Sequence, residues 1–179
     1  CNAGYILLGL VVEELTGRSY IEYVENEIFR AAGMDDSGFF RLDDAHPRVA
    51  IGYVADPQRG WKTNHYSIPV VGGPDGGAFS TVRDLSKFLD ALARCEFFGE
   101  ETGGVMRAAH VMNEDIHYGY GLAIREHGDR ACFGHGGADP GFSARAFRYP
   151  ELDMNVTMLG NTIDETDPVI EAFRSALED

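Results

Sequence analysis

The stretch that decides the fold lies in the last third of the chain: YGYGLAIREHGDRACFGHGGADPGFSARAFRYPELDMNVTMLG, residues 118–160. Four runs of strand length occur in it, at 118–127, 130–135, 143–149 and 154–160. Turn-forming residues separate the runs: Gly128-Asp129, Asp139-Pro140-Gly141 and Pro150-Glu151. This spacing is typical of an antiparallel meander, so we expect three or four neighbouring strands here.

Helical patterns precede this stretch. We predict a helix over 3–16 that Asn2 caps and Gly17 ends, with one apolar stripe: Leu7, Leu10, Val11 and Leu15. A second helix is expected over 20–32, because Ser19 and Glu22 form a capping box before it and Gly33 ends it.

Periodicity is absent over residues 35–80, which contain four prolines and two glycine pairs. A structureless connection of this length is unusual in a compact domain, so we expect short strands and turns that lie over a functional region.

Regular structure returns at Thr81, which forms a capping box with Asp84 and begins another helix. A short helix is plausible at 105–112. A final helix starts at Asp167 and Pro168, and its apolar stripe is Val169, Ile170, Phe173 and Leu177.

This order of elements predicts an α+β fold: a helical region, an antiparallel meander and a C-terminal helix. We divide the chain into a helical portion at 1–116, which includes the irregular segment, and a sheet with its closing helix at 117–179. Together the two portions are expected to form one incomplete domain.

Composition excludes several classes of function. The formal net charge of the 179 residues is −14, which disfavours binding to nucleic acid or to anionic lipid. At 44% hydrophobic residues the chain can build a core, yet no run is long enough to cross a membrane. Cys1, Cys95 and Cys132 lack CxxC spacing and are expected to be buried free thiols.

Three segments resemble one family in their order and spacing. They are Cys1-Asn2-Ala3-Gly4-Tyr5 with Thr16-Gly17-Arg18-Ser19-Tyr20, then Gly76-Gly77-Ala78-Phe79-Ser80-Thr81, and finally Gly134-His135-Gly136-Gly137 with Pro140-Gly141-Phe142. They are similar to segments of the serine β-lactamase-like hydrolases, which include class C β-lactamases, DD-peptidases, D-aminopeptidases and related esterases. The resemblance implies the β-lactamase/transpeptidase-like fold.

The resemblance also implies a site. In this family a serine activated by a lysine in a Ser-x-x-Lys motif is acylated, and backbone N–H groups form an oxyanion hole. Asn2 matches the asparagine that holds the substrate amide, and His135 matches the His-x-Gly form of the third motif. His135 would face the substrate carboxylate or the motif tyrosine. Gly136 and Gly137 would let the substrate backbone approach, and Ala138 is a candidate oxyanion donor.

The lysines bear on the nucleophile. Lys62 and Lys87 are the only lysines, and Arg59 and Asp84 stand three residues before them, so Ser-x-x-Lys does not occur. In the nearest imitation, which starts at Ser80, arginine replaces lysine and cannot act as a base. We therefore expect the nucleophile upstream of residue 1 in a bacterial parent enzyme, and we expect the 179-residue chain alone to be inactive.

Two functions remain open at this point. One is the C-terminal part of a serine hydrolase that cleaves an amide, lactam or ester through an acyl-enzyme. The alternative is a non-catalytic binding or interaction module of the same fold. The sequence leaves the acyl substrate, whether a small molecule or a peptide, and the compartment undecided.

Other expectations concern partners and cofactors. No cofactor and no metal are expected, because the remaining histidines lack ligand spacing and suit surface or turn positions: His46, His65, His110, His117 and His127. If the upstream strands are missing, a sheet edge and an apolar face would lie open. An upstream segment or self-association is expected to cover them.

Two further segments are assigned structural roles. Tyr118 and Tyr120 are expected to pack rather than react. Lys62-Thr63-Asn64 imitates the lysine form of the third motif, but it lacks the glycine and a strand context, so we interpret it as unrelated to the site.

Overall fold

The computed structural model describes residues 1–112, 117–127, 130–163 and 166–178. These residues form five α-helices: α1 Asn2–Thr16, α2 Tyr20–Val24, α3 Val82–Ala93, α4 Glu100–Arg107 and α5 Thr166–Glu178. A two-stranded hairpin consists of β1 Tyr53–Asp56 and β2 Gly60–Thr63. The main sheet contains β3 Val111–Met112, β4 His117–Tyr118, β5 Ala123–His127, β6 Arg130–Asp139, β7 Phe142–Tyr149 and β8 Met154–Gly160.

The main sheet confirms the α+β fold and the antiparallel meander. Its six strands lie in chain order, β3 to β8, and each neighbouring pair is antiparallel. The single strand expected over 118–127 is wrong: a turn in which the Gly119 N–H donates to the Leu122 carbonyl divides it. Gly121 supplies the left-handed conformation that this turn requires, with φ 74°.

Strand β6 is longer than the pattern indicated. It continues through Asp139, so His135 lies in the middle of a strand and not at its end. Its partner β7 begins at Phe142, and the two strands stay in register from Phe133↔Arg148 to Asp139↔Phe142. The turn between them is short, and Gly141 adopts φ 83° there.

Three helical predictions need correction. Asn2 does not cap α1, because Cys1 occupies the cap position and its carbonyl accepts the first helical hydrogen bonds. The helix expected over 20–32 ends as α2 at Val24, and a π-helical turn, Glu25–Phe29, follows it. The helix expected at 105–112 instead spans Glu100–Arg107, where two glutamates favour the first turn, and 111–112 forms β3.

Other helix signals are confirmed. The Ser19 hydroxyl accepts from the Glu22 N–H, and the Thr81 hydroxyl accepts from the Asp84 N–H at the start of α3. Gly17 ends α1 in the left-handed conformation, with φ 67°.

The two faces of the sheet carry two apolar clusters. On one face, Cys132, Phe147 and Tyr149 pack with Phe173 of α5, and the rings of Tyr149 and Phe173 meet edge to face at 5.7 Å. On the other face, Leu92 of α3, Leu122 and Phe133 form the second cluster with surrounding aromatic side chains. Helices α3 and α5 therefore cover opposite faces of the sheet.

Helix α1 leaves its apolar stripe in solvent. The stripe, here called the apolar face of α1, consists of Leu7, Leu10, Val11 and Leu15, which are between 50% and 80% exposed. The one buried residue of α1 is Gly9, where an added Cβ would meet the Pro74 ring at 2.1 Å. Gly9 is thus a point where α1 packs closely against the irregular segment.

The irregular segment is fastened to the end of the sheet. The Tyr53 N–H donates to the Asn161 carbonyl at 2.9 Å, and the Asn64 side-chain amide donates to the Pro140 carbonyl at 2.9 Å. The rings of Phe79 and Phe142 meet edge to face at 5.8 Å. These contacts confirm that 35–80 contains short strands and place the hairpin beside the β6–β7 turn.

The cysteines and His117 differ in part from what the sequence predicts. The three thiols are free, but Cys1 is exposed and Cys95 half-buried, so only Cys132 is buried as expected. His117 lies in β4 and is half-buried, which differs from a surface or turn position. The turn at Gly128-Asp129, the side chain of His127 and that of Leu177 lie outside the described residues.

Candidate functional site

The site is built on an open edge of β6. Pairing of β5 with β6 ends at Ala123↔Gly134, whereas β6 continues to pair with β7 as far as Asp139. Within the described chain, residues 135–139 therefore have a strand neighbour on one side only. Unpaired backbone groups along such an edge can receive another extended chain.

His135 is held by two hydrogen bonds at the start of this edge. Its Nε2 lies 2.8 Å from the Tyr118 hydroxyl, and its Nδ1 lies 2.7 Å from the Gly136 carbonyl oxygen. The rings of Tyr118 and His135 meet edge to face, with centroids 5.7 Å apart. The imidazole is nevertheless exposed, so a bound molecule can reach it.

Helix α1 approaches the same place through Tyr5. The Tyr5 hydroxyl lies 3.3 Å from the Tyr118 hydroxyl, which links α1 to β4 and, through His135, to β6. Asn2 stands three residues before Tyr5, on the same side of the helix. Its side chain is exposed and has no hydrogen-bond partner among the described residues, so its amide is available to a ligand.

Tyr118 has a strongly perturbed acidity. Burial, followed by the hydrogen bond with Tyr5, raises the pKa of its hydroxyl to about 12. The group therefore remains protonated near neutral pH and acts as a hydrogen-bond donor there.

A cleft of about 300 Å³ lies against these residues. His135, Gly136, Gly137 and Ala138 line it together with Tyr118, and arginine and apolar side chains complete the wall: Ala123, Arg125, Arg145 and Phe147. The structure thus brings together four of the five site residues expected from the sequence. Asn2, the fifth, does not line the cleft and lies at the start of α1.

The two glycines after His135 differ in their surroundings. A Cβ on Gly136 would lie 2.7 Å from Cδ of Arg145, so glycine lets this arginine cross the strand. A Cβ on Gly137 would meet nothing within 4 Å, so this position faces open space. Ala138, the expected oxyanion donor, is exposed and pairs with Ser143 across the β6–β7 ladder.

Neither lysine has surroundings that suit a catalytic base. Lys87 donates to the Asp84 carboxylate at 3.0 Å and to the Gly33 carbonyl, so its ammonium serves as a structural donor. Lys62 is exposed on β2, and the Lys62-Thr63-Asn64 segment has the strand context that we expected it to lack. Asn64 is buried and bonded to Pro140, which gives it a structural role.

Part of this arrangement is not evident from the sequence. Tyr118 does pack against the sheet cluster as expected, but its bond to His135 arises from a strand register that spacing alone does not reveal. Helical spacing could have indicated Tyr5, since it follows Asn2 by about one turn and therefore lies on the same side of α1. Tyr120 is exposed and stacks on His110 at 4.4 Å, so it does not pack in the core.

Within the described ranges, no group of three or more His, Cys, Asp or Glu side chains is arranged to hold a metal ion. None of the helices in the part of the chain that the structure describes is long and apolar enough to span a membrane.

Comparison with known proteins identifies related chains. The family model described as Beta-lactamase matches residues 1–178. A D-aminopeptidase from Brucella anthropi is 30% identical over 168 residues, which cover 90% of this chain and 31% of that protein.

Solved structures share the fold. A penicillin-binding protein from Bacillus halodurans superposes with a TM-score of 0.91 at 37% identity, over 98% of this chain and 55% of its own. An octameric penicillin-binding protein homologue from Pyrococcus abyssi has a TM-score of 0.80 at 29% identity, over 90% and 38% of the two chains. This chain spans at most 40% of the first curated relatives and about half or less of these structures.

Proposed function

Because the chain belongs to the β-lactamase family, a family of serine hydrolases and penicillin-binding proteins, we propose that it is the C-terminal part of an acyl-enzyme hydrolase. The bond cleaved is an amide, lactam or ester. Relatives named D-aminopeptidase support an amide of a D-amino acid as the first substrate to try. The observation that carries the proposal is the exposed His135 imidazole on the open edge of β6, beside α1.

We assign roles to four of the site residues. The substrate lies along 135–139 as an added strand, and the freedom at Gly137 lets its backbone come close. His135 presents a positive charge to the substrate while its two ring nitrogens stay hydrogen-bonded to Tyr118 and Gly136. Asn2 holds the substrate amide. The N–H of Ala138 contributes to the oxyanion hole, where fixed donors stabilise the negative charge of the transition state.

The nucleophile in this proposal is a serine of a Ser-x-x-Lys motif upstream of residue 1. No such motif occurs in the 179 residues, and both lysines have other surroundings. Nucleophile, base and oxyanion donors act as a unit, so this chain alone is expected to be inactive.

The test is acylation of the protein at its natural length. A fluorescent penicillin, a p-nitrophenyl ester and a D-amino acid p-nitroanilide would each be incubated with the protein and with a variant of the Ser-x-x-Lys serine. We expect covalent labelling or turnover that the serine variant loses. Absence of a Ser-x-x-Lys motif from the upstream sequence would refute the enzyme proposal.

A second candidate is a non-catalytic binding module. The lack of any Ser-x-x-Lys in the 179 residues favours it. Calorimetry distinguishes the two functions, because a module would bind a β-lactam or a D-amino-acid peptide reversibly, with no covalent adduct in the mass spectrum.

We also propose that the apolar face of α1 is covered in the working protein. An upstream segment or a second copy would serve, since large exposed apolar patches are unusual on monomers. The octameric relative supports self-association as one of these routes.

A further inference from the structure

Three side chains from three elements form one line of hydrogen bonds. The line runs from Tyr5 on α1 to Tyr118 on β4 and then to His135 on β6, with oxygen–oxygen and oxygen–nitrogen separations of 3.3 Å and 2.8 Å. It ends where His135 Nδ1 meets the carbonyl oxygen of Gly136 at 2.7 Å.

The last contact shows the direction of the others in this structure. A carbonyl oxygen only accepts hydrogen bonds, so Nδ1 of His135 must carry a hydrogen. In the neutral imidazole Nε2 is then bare and accepts from the Tyr118 hydroxyl. The Tyr118 hydroxyl donates its single hydrogen to His135, and its oxygen therefore accepts from the Tyr5 hydroxyl.

We propose that Tyr118, held in turn by Tyr5, is the positioning residue that fixes the tautomer and the ring orientation of His135. This inference rests on the proposed function, in which His135 faces the substrate. Neither tyrosine touches the substrate in this proposal. Both act through the imidazole.

The surroundings of Tyr118 suit this role. Its ring packs in the sheet cluster and meets the His135 ring edge to face, so the hydroxyl has little freedom. Helix α1 packs close to the neighbouring Gly121, since an added Cβ there would be in van der Waals contact with the Tyr5 oxygen at 3.4 Å. Helix and sheet thus hold the hydroxyl from two sides.

The line also tolerates a change of charge. When His135 gains a proton, Nε2–H donates to Tyr118 and Tyr118 donates to Tyr5. Both hydrogen bonds between the side chains are kept, with their donor and acceptor exchanged. The Nδ1–H bond to Gly136 is kept in both states. The ring therefore need not turn between its neutral and charged forms, which suits a group that must face one substrate atom throughout a reaction.

The first test reads the tautomer directly. Long-range ¹H–¹⁵N spectra of the protein at its natural length, with ¹⁵N-labelled histidine, report which ring nitrogen carries hydrogen. At a pH where His135 is neutral, we expect hydrogen on Nδ1 and a bare Nε2. Tyr118→Phe should convert this signature into averaged shifts of mixed tautomers, and Tyr5→Phe should do so to a smaller extent.

Tyr120→Phe is the matched control. Tyr120 stands two residues from Tyr118 but stacks on His110, so its variant should leave the His135 signals unchanged. An Nε2–H tautomer in the unaltered protein would overturn the proposal. So would a full Nδ1–H signature in Tyr118→Phe, because the Gly136 carbonyl alone would then fix the ring.

The second test is kinetic. In the active hydrolase, Tyr118→Phe should lower kcat about tenfold, the effect of losing one hydrogen bond, with KM changed less than twofold. An unchanged kcat would refute the positioning role. If no hydrolysis is found but the tautomer signature disappears in Tyr118→Phe, the proposed function fails while the hold of Tyr118 on His135 stands.

Discussion

Asp84 is a charged residue in the first turn of α3, where its side chain is almost fully buried. It accepts hydrogen bonds from the Asp36 N–H at 2.8 Å, the Ser37 hydroxyl at 2.9 Å and the Lys87 ammonium at 3.0 Å. Its own backbone N–H also completes the cap of α3 through Thr81. One carboxylate therefore connects the loop after Gly33 to the start of α3. These hydrogen bonds and the ion pair with Lys87 compensate for the cost of burying its charge.

Asp84→Asn should lower the free energy of unfolding by about 3 kcal/mol, because one carboxylate oxygen becomes a donor facing other donors and Lys87 loses its ion pair. Urea denaturation followed by circular dichroism measures the change. Asp43→Asn is the control, since the Asp43–Arg41 pair is exposed and should contribute little. Equal stability of the two variants would show that the buried hydrogen bonds of Asp84 contribute no more to stability than an exposed ion pair does.

The same residue predicts a dependence on pH. Burial acts to raise the pKa of Asp84, but hydrogen bonds from Lys87, the Asp36 amide and Ser37 outweigh it and lower the pKa below 3.8. A folded-state pKa below the unfolded value means that the carboxylate stabilises the fold above about pH 4 and loses this effect as the pH falls through the folded pKa.

The difference in unfolding free energy between the unaltered protein and Asp84→Asn should therefore stay constant from pH 7 to about pH 5 and shrink below about pH 4. Denaturation series at half-unit steps of pH measure it. A difference that grows on acidification would contradict the assigned direction of the pKa shift.

At the scale of elements, β6 contains glycines with opposite constraints. An added Cβ on Gly134 would lie 2.0 Å from the Ala146 carbonyl oxygen and 2.7 Å from Cα of Phe147, both backbone atoms of β7. No such obstacle exists at Gly137. Gly134 therefore lies against the backbone of β7, whereas Gly137 lies on the open edge of β6 with free space around it.

Gly134→Ala should therefore destabilise the protein by about 3 kcal/mol, as overpacking against backbone does, whereas Gly137→Ala should change stability by less than about 0.5 kcal/mol. Thermal unfolding separates them. In the active hydrolase, Gly137→Ala should instead raise KM, because its methyl group occupies the path of the substrate backbone. A stable Gly134→Ala protein would show that β6 and β7 can shift apart.

These elements also show what the sequence could predict. The capping boxes at Ser19 and Thr81 and the meander were predicted because their signals are local. The start of α1 differs by one residue, because the Cys1 carbonyl provides the cap without a side-chain signal. Strands β4 and β5 are merged in the sequence pattern, because a glycine turn inside the run leaves little trace in periodicity. His135 was identified from its motif, whereas its bond to Tyr118 depends on the register of three strands.

For the whole molecule, the uneven covering of its surfaces is the main feature. Helices α3 and α5 bury opposite faces of the sheet, but α1 presents its apolar face to solvent. Exposure of four large aliphatic side chains on one helix is costly for a protein in water, at about 25 cal/mol for each Å².

We expect the isolated 19.6 kDa chain to associate through this face. Sedimentation velocity should show species larger than the monomer, and the double variant Leu7→Gln with Leu15→Gln should reduce them. Tyr66→Gln, which alters a fully exposed side chain elsewhere, should leave the distribution unchanged. A monomer at all concentrations would contradict the prediction.

The attachment of the irregular segment to the sheet determines where its sequence can be varied. The hairpin is joined to the sheet near its base, through Tyr53 and Asn64, while its tip between Asp56 and Gly60 is free of these ties. Loop length and composition at the tip can therefore change by insertion or replacement without disturbing β6. A library confined to residues 57–59 would vary the rim of the molecule while the strand edge and its histidine stay in place.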